Sequence, residues 1–143
     1  MRYTPTWECI WSGWIKVFPD ASVGLLTLPA MTDCLFCKII AGKIPSRKVY
    51  EDEKTFVFED INPQAPTHVL IVPKKHIAGI DQATEADAEI LGYCQLVAAK
   101  IAHERNLKDG FRTVYNVGAD AGQTVFHLHL HLVGGRKMSW PPG

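Results

Sequence analysis

The chain has 143 residues, enough for one domain built on a single core. Apolar residues make up 47% and charged residues 21%, the balance of a globular domain in water. Lys plus Arg and Asp plus Glu both total 15, which excludes a partner recognised through bulk basic charge, nucleic acid above all. An anionic substrate must then be held by a local site.

The N-terminal stretch stands apart. It carries Trp7, Trp11 and Trp14 with no sustained period, and Glu8, Lys16 and Asp20 interrupt any apolar core. Val23–Leu28 is too short for a secretory signal, and a lone arginine among acids does not make an organellar presequence. Met31 is the expected natural start, with residues 1–30 an extension outside the fold and 31–143 the domain. No apolar run approaches the roughly 18–20 residues that span a bilayer. Cys9 and Cys94 are isolated, while Cys34 and Cys37 form one C-x-x-C pair. Reduced thiols are expected, and with them a cytoplasmic location.

From Asp33 the elements become legible. Asp33–Gly42 predicts a short helix, with Asp33 as N-cap and Gly42 as the stop. Lys48–Glu51 and Thr55–Glu59, rich in Val, Tyr and Phe, predict a hairpin across Asp52-Glu53-Lys54. Asn62-Pro63-Gln64-Ala65-Pro66 reads as a turn. His68–Pro73 is a nearly continuous apolar run, as in a central strand covered on both faces. The longest helix is expected from about Thr84, with Asp87 as capping-box partner. Its core stripe is Ile90, Leu91, Cys94, Val97, Ala98 and Ile101, and Asn106 and Gly110 bracket its end. Strands at Arg112–Val117 and Thr124–Val133 follow, separated by the Gly118–Gly122 loop and closed by Gly134-Gly135. Short links and a single long helix favour an antiparallel α+β domain over a doubly wound sheet.

His127, His129 and His131 sit at every second position. In a strand they share one face, about 6–7 Å apart in succession, and Phe126, Leu128, Leu130 and Leu132 form the opposite, core face. A neutral imidazole whose one nitrogen is held by a hydrogen bond offers the other as a nucleophile toward phosphorus. A flanking imidazolium would stabilise phosphoryl oxygens. A lone histidine is more often an ordinary surface or core residue; three on one face reverse that weighting. The rival chemistry is zinc, since H-x-H on a strand also suits a metal and a hydrolytic zinc would activate water directly.

The stretch Gln123–Val133 resembles the His-x-His-x-His signature of the histidine triad (HIT) superfamily. Ile61–His68, Pro73-Lys74-Lys75-His76, Gly134-Gly135-Arg136 and the ending Trp140-Pro141-Pro142-Gly143 are similar to its Hint branch of purine nucleoside phosphoramidases. The resemblance covers about Asp33 to Gly143 and implies an antiparallel sheet of about five strands with one long and one short helix, continued across a homodimer. It implies that His129 attacks the α-phosphorus of an AMP–amine substrate, the amine leaves, and water releases the monophosphate from a nucleotidyl-histidine. It further implies that His131 binds phosphate oxygens while a backbone acceptor holds His129 in the attacking tautomer. His68 would orient the network. Asn116, Gly122, Gln123 and Thr124 would surround the phosphate and leaving group, Thr124 standing where many relatives have Ser. Asp60 and Ile61 would hold the nucleoside, and the Trp140 tail would reach the partner's site.

Taken singly, these residues have plainer readings. Asp60 would cap the turn before Asn62-Pro63, Asn116 beside Gly118 would be a turn residue, and Lys74 and Lys75 a solvated strand end. A lone C-x-x-C is likewise a weak signal, and four-coordinate zinc needs two more ligands. The resemblance supplies them as His76 and His127, implying a structural zinc on Cys34, Cys37, His76 and His127 and no cofactor for catalysis. The activities to be weighed are the phosphoramidase, a dinucleoside polyphosphate hydrolase, a nucleotide-binding regulatory module and a metallohydrolase. The Trp-Pro-Pro-Gly ending argues against the second.

Overall fold

The computed structural model describes residues 33–143. The expectations for Met31 and the N-terminal extension lie outside the described residues. Helix α1 (Leu35–Ile40) leads into strands β1 (Lys48–Glu51), β2 (Thr55–Glu59) and β3 (Thr67–Pro73). Helix α2 (Ala88–Glu104), β4 (Phe111–Val114) and β5 (Leu130–Gly134) follow. The five strands form one antiparallel sheet in the order β1-β2-β3-β5-β4, the expected α+β architecture.

Local chemistry accounts for most element ends. Helix α1 is capped by Cys34, whose Sγ accepts from the Cys37 amide at 3.5 Å, and not by Asp33 as expected. Asp33 pairs instead with Lys38 at 2.8 Å. Gly42 does stop the helix: at φ +72° it lets its own amide reach Ile39 O and that of Lys43 reach Lys38 O, 2.9 Å each. In the hairpin, Asp52 Oδ1 accepts from the amides of Lys54 (2.9 Å) and Thr55 (2.7 Å) and from Thr55 Oγ1 (3.0 Å). Its Oδ2 accepts from Tyr93 OH at 2.8 Å, tying the turn to α2. Asp87 accepts from the Thr84 amide at 2.9 Å, as a capping box requires, and from Lys75 Nζ at 2.5 Å. Asn106, at φ +57°, ends α2.

The sheet has two unlike faces. Val57, Val69, Ile71, Leu130 and Leu132 point toward Cys94, Val97, Ala98, Ile101 and Ala102 of α2 in the larger core. Phe56, Phe58, Leu70 and Val72 point the other way, onto Phe36 and Ile39 of α1. All seven residues of β3 are buried, as expected of a central strand. Helix α1 is only six residues long, and the same sheet face also carries His68 on β3 and His131 on β5.

The last strand departs from expectation. The run Thr124–Val133 is not one strand; β5 begins at Leu130, so His127 and His129 precede it in irregular backbone. The pairing with β3 ends at Ile71↔Leu130. Two residues on, the partner would be Pro73, which has no amide hydrogen to continue the ladder. Its carbonyl is taken by a side chain: His127 Nε2–H donates to Pro73 O at 2.8 Å. Phe126, expected in the core, is 63% exposed for the same reason, whereas Leu128, Leu130 and Leu132 are buried. Likewise β4 stops at Val114, short of the expected Val117.

Candidate active site

Four histidines converge on the α1 face, and hydrogen bonds to backbone groups, relayed to His131 through His68, dictate which nitrogen of each carries its proton. The Gln64 amide donates to His68 Nδ1 at 3.0 Å, so the proton of neutral His68 sits on Nε2. That Nε2–H faces His131 Nδ1 at 2.9 Å, which must accept. The proton of His131 is thereby driven to Nε2, a buried nitrogen with no partner. His129 has the opposite arrangement. Its Nδ1–H donates to the carbonyl oxygen of His127 at 2.6 Å, leaving the Nε2 lone pair free. The rings of His129 and His131 lie 5.0 Å apart between centroids. One thus presents a lone pair and its neighbour a hydrogen-bond donor.

Burial favours the neutral form of His129 and His131. Desolvation pushes His131 down to about 4, helped by His129 and His68 and opposed by Asp60. Desolvation also lowers His129. Phe36 supplies part of that shielding, standing edge-on to His129 at 5.0 Å and 86°. The sequence reading asked for a flanking imidazolium. The geometry offers a neutral donor instead, and such a donor is able to stabilise developing phosphoryl charge without first being protonated.

Asp60 does two things at once. Its Oδ1 accepts from the Asn62 amide at 2.8 Å, the turn-capping role, while Oδ2 lies 3.4 Å from His68 Nε2 and 4.0 Å from His131 Nδ1. Ile61 beside it is fully exposed. Gln123 is buried with its amide engaged on backbone: Nε2 donates to Ala78 O (2.9 Å) and Val125 O (3.3 Å), and Oε1 accepts from the Gly118 amide (3.0 Å). It braces the loop that carries Asn116, Gly122 and Thr124. Gly122, at φ +83°, turns that loop as only glycine does readily. Thr124 is exposed and Asn116 partly so.

His127 turns away from this chemistry. Its Nδ1 lies 3.4 Å from Cys34 Sγ, 3.5 Å from Cys37 Sγ and 3.2 Å from His76 Nδ1, and Cys37 Sγ is 3.4 Å from His76 Nδ1. Donors around a tetrahedral zinc should stand about 3.3 Å apart for two nitrogens, about 3.6 Å for nitrogen and sulfur and about 3.8 Å for two sulfurs, given Zn–S near 2.3 Å and Zn–N near 2.0–2.1 Å. The donor set fits. With Nε2–H given to Pro73 O, His127 offers a lone pair inward, the outer-shell arrangement of a ligating histidine. Burial and the adjacent Cys34 push the Cys37 thiol up to about 11, so paired thiolates here call for a cation.

Asp60, His68 and His131 also bring three donor atoms together. They are poorly suited to a metal, because the His68 nitrogen facing that point carries the proton. Moving the proton to Nδ1 would set it against the Gln64 amide. This weighs against the metallohydrolase reading.

Sequence reasoning missed Phe36, Pro73 and Gln64. Phe36 acts through packing, whereas the other two act through main-chain atoms that carry no side-chain signature.

Fold and site together define an antiparallel α+β domain with a backbone-oriented histidine cluster and a separate thiol–imidazole cage. The chain belongs to the HIT domain family, whose model matches residues 41–138. It is 53% identical over 111 residues to the 14 kDa zinc-binding protein of Zea mays, covering 76% of this chain and 87% of that one. A HIT family hydrolase from Legionella pneumophila superposes with a TM-score of 0.76 at 52% identity, covering 78% of this chain and all of that one. A histidine triad nucleotide-binding protein from Candida albicans superposes at 0.65 with 36% identity over 76% of this chain and 82% of its own. Among the described residues no helix is long and apolar enough to cross a membrane.

Proposed function

We propose that this protein is a hydrolase that cleaves the P–N bond of purine nucleoside phosphoramidates through a nucleotidyl-histidine on His129. The observation that carries the reading is the pairing of tautomers. The His127 carbonyl holds the Nδ1–H of His129, which leaves Nε2 as nucleophile, and His131, its ring 5.0 Å from that of His129, carries a buried, unpartnered Nε2–H. The Nε2 lone pair forms a bond to the α-phosphorus as the P–N bond breaks, and its electron pair departs with the nitrogen, which takes a proton from water to leave as the amine. Water then attacks phosphorus, the P–Nε2 bond breaks, and the nucleoside monophosphate is released. Two substitutions replace one difficult step.

In this reading His131 and the Thr124 hydroxyl donate to phosphate oxygens, and His68 keeps His131 in the donating tautomer. Gly122, Gln123 and Asn116 shape the loop around phosphate and leaving group. Ile61 gives the base an exposed apolar surface, and Asp60 accepts from ribose hydroxyls. Cys34, Cys37, His76 and His127 would hold a structural zinc, supported by the donor geometry and by the zinc-binding name of the maize relative. The hydrolase and nucleotide-binding names of the Legionella and Candida proteins agree with the class.

A homodimer belongs to the same reading. Strand β4 is a sheet edge, Phe111 on it is 44% exposed, Leu96 on α2 is 69% exposed, and the Trp140 tail is 83% exposed. Pairing two β4 edges would cover the first two and carry each tail toward the other site.

The test is His129→Ala. Turnover of an AMP–amine substrate is lost while nucleotide binding persists, and wild-type protein quenched during turnover gains the mass of a nucleotidyl group. Full activity in the variant sinks covalent histidine catalysis. Faster turnover of dinucleoside polyphosphates than of phosphoramidates, or binding with no turnover, would select the hydrolase or regulatory alternative.

A further inference from the structure

We infer that the Cys34–Cys37–His76–His127 cage is a positioning device for the nucleophile, acting through the His127 peptide and the Phe36 ring. The inference rests on the reading of His129 as nucleophile, and it makes Cys34, Cys37 and His76 positioning residues for the reaction. None of the three touches the reacting atoms.

The carbonyl that fixes His129 lies in backbone that no sheet ladder holds. The pairing of β5 with β3 ends at Leu130, so neither His127 nor His129 has its peptide oriented by a strand partner. What restrains the His127 peptide is the cage and its immediate surroundings. The side chain is held at Nδ1 by three donors 3.2–3.5 Å away and at Nε2 by Pro73 O. The next residue, Leu128, donates its amide to Ile77 O at 2.6 Å, and Ile77 directly follows the cage residue His76. The carbonyl of His127 then accepts from His129 at 2.6 Å. A single residue thus links the cage to the group that sets the attacking tautomer.

The second connection runs through α1. The two cysteines bracket Phe36 in Cys34-Leu35-Phe36-Cys37, and Cys34 caps that helix. Phe36 meets His129 edge-on at 5.0 Å and Phe58 at 5.4 Å. Closing the cage therefore fixes both the acceptor that orients His129 and the wall that keeps water from it. If the cage opens, the His127–Leu128 peptide keeps only the Leu128 N–H bond to Ile77 O and α1 only its apolar packing, so both loosen, while the Asn116–Thr124 loop keeps its own brace in Gln123. Catalysis should weaken much more than nucleotide binding.

The experiment compares full-chain protein loaded with zinc, the same protein stripped by a chelator, and the variants Cys37→Ser and His76→Gln. Four quantities are measured: zinc content, circular dichroism, AMP affinity, and the ¹⁵N shifts of the His129 ring, which report the tautomer directly and independently of turnover. On zinc loss, kcat is expected to fall about 10- to 100-fold, as when an outer-shell partner or a positioned group is displaced. AMP affinity changes less than about threefold, and the His129 signals move from a single Nδ1–H form toward mixed tautomers. Zinc restores stripped wild-type protein fully and Cys37→Ser only in part. His76→Gln keeps three donors, so it remains folded with an intermediate effect. Unchanged His129 shifts in protein shown to have lost its zinc would overturn the inference. So would activity that falls only in step with loss of ellipticity, since the cage would then be a folding staple alone. Failure of the nucleophile assignment is a separate result, read from full turnover by zinc-loaded His129→Ala.

Discussion

Phe36 offers a direct test of how the fold tunes its candidate nucleophile. The ring is 5% exposed and makes edge-on contacts with Phe58 at 5.4 Å and with His129 at 5.0 Å. Phe36→Leu keeps most of the buried volume but removes both aromatic contacts, each worth about 0.5–1.5 kcal/mol, so the expected loss is roughly 1–3 kcal/mol. Phe36→Ala also leaves a cavity, and about 3–5 kcal/mol is expected. Urea denaturation checks both. The functional consequence follows from the sign of the His129 shift. Burial lowers its pKa, so admitting water raises it back toward 6.5. The acid limb of kcat/KM, which reports groups of the free enzyme, should move to higher pH in the order wild type, Phe36→Leu, Phe36→Ala when followed from about pH 4.5 to 8. Superimposable acid limbs in proteins that show the expected loss of stability would refute the idea that α1 keeps His129 neutral.

Three further outcomes follow from other residues. Asp52→Asn should cost about 1.5–3 kcal/mol in urea, because its charge serves donors from Thr55, Lys54 and Tyr93. Although burial opposes ionisation, those bonds hold the Asp52 carboxyl well below the usual range. Its stabilisation is present above the unfolded pKa and lost as pH falls through the folded one, so Asp52→Asn should flatten stability at strongly acid pH. His131, lowered from 6.5 to about 4, gives a separate acid effect. The unfolded chain takes up that proton first, so stability should drop by up to about 1.4 kcal/mol per pH unit across that window. His131→Gln should reduce the slope in denaturation curves collected at successive pH values, and an unchanged slope would refute the assignment. Gly134→Ala would set a Cβ 2.6 Å from Leu107 Cδ1 and 3.3 Å from Phe111 Cβ. A loss of about 1–3 kcal/mol is expected, checked by thermal melting.

Much of this architecture was legible because side-chain periodicity and turn chemistry act locally. The β1–β2 hairpin, the central β3 and the stripe Cys94, Val97, Ala98 and Ile101 of α2 lie where alternation and helical spacing put them. The four cage donors and the cluster of Asp60, His68, His129 and His131 come together as well, although their roles were implied by family resemblance. What periodicity did not reveal was the end of a ladder. The histidine run alternates like a strand throughout, yet Pro73 on another segment decides that pairing stops at Leu130. The capping of α1 failed for a similar reason. Asp33 is the better cap by type, but Cys34 is drawn into position by partners distant in sequence. A backbone acceptor for His129 came only from the resemblance, and the tautomers of His68, His127 and His131 were illegible because they depend on where the Gln64 amide and the Pro73 carbonyl point.

The two-faced sheet divides mutational effects by parity. On β3, Val69 and Ile71 supply the packing against α2, whereas His68 belongs to the histidine chain and Leu70 and Val72 to the thinner layer beneath α1. A library randomising Val69 and Ile71 should therefore report on folding alone. Changes at His68 should alter the histidine chain first, while changes at Leu70 and Val72 should act on the histidines and on the smaller core together. Adaptation to new substrates thus has a strip of backbone on which to work without disturbing the larger core behind it.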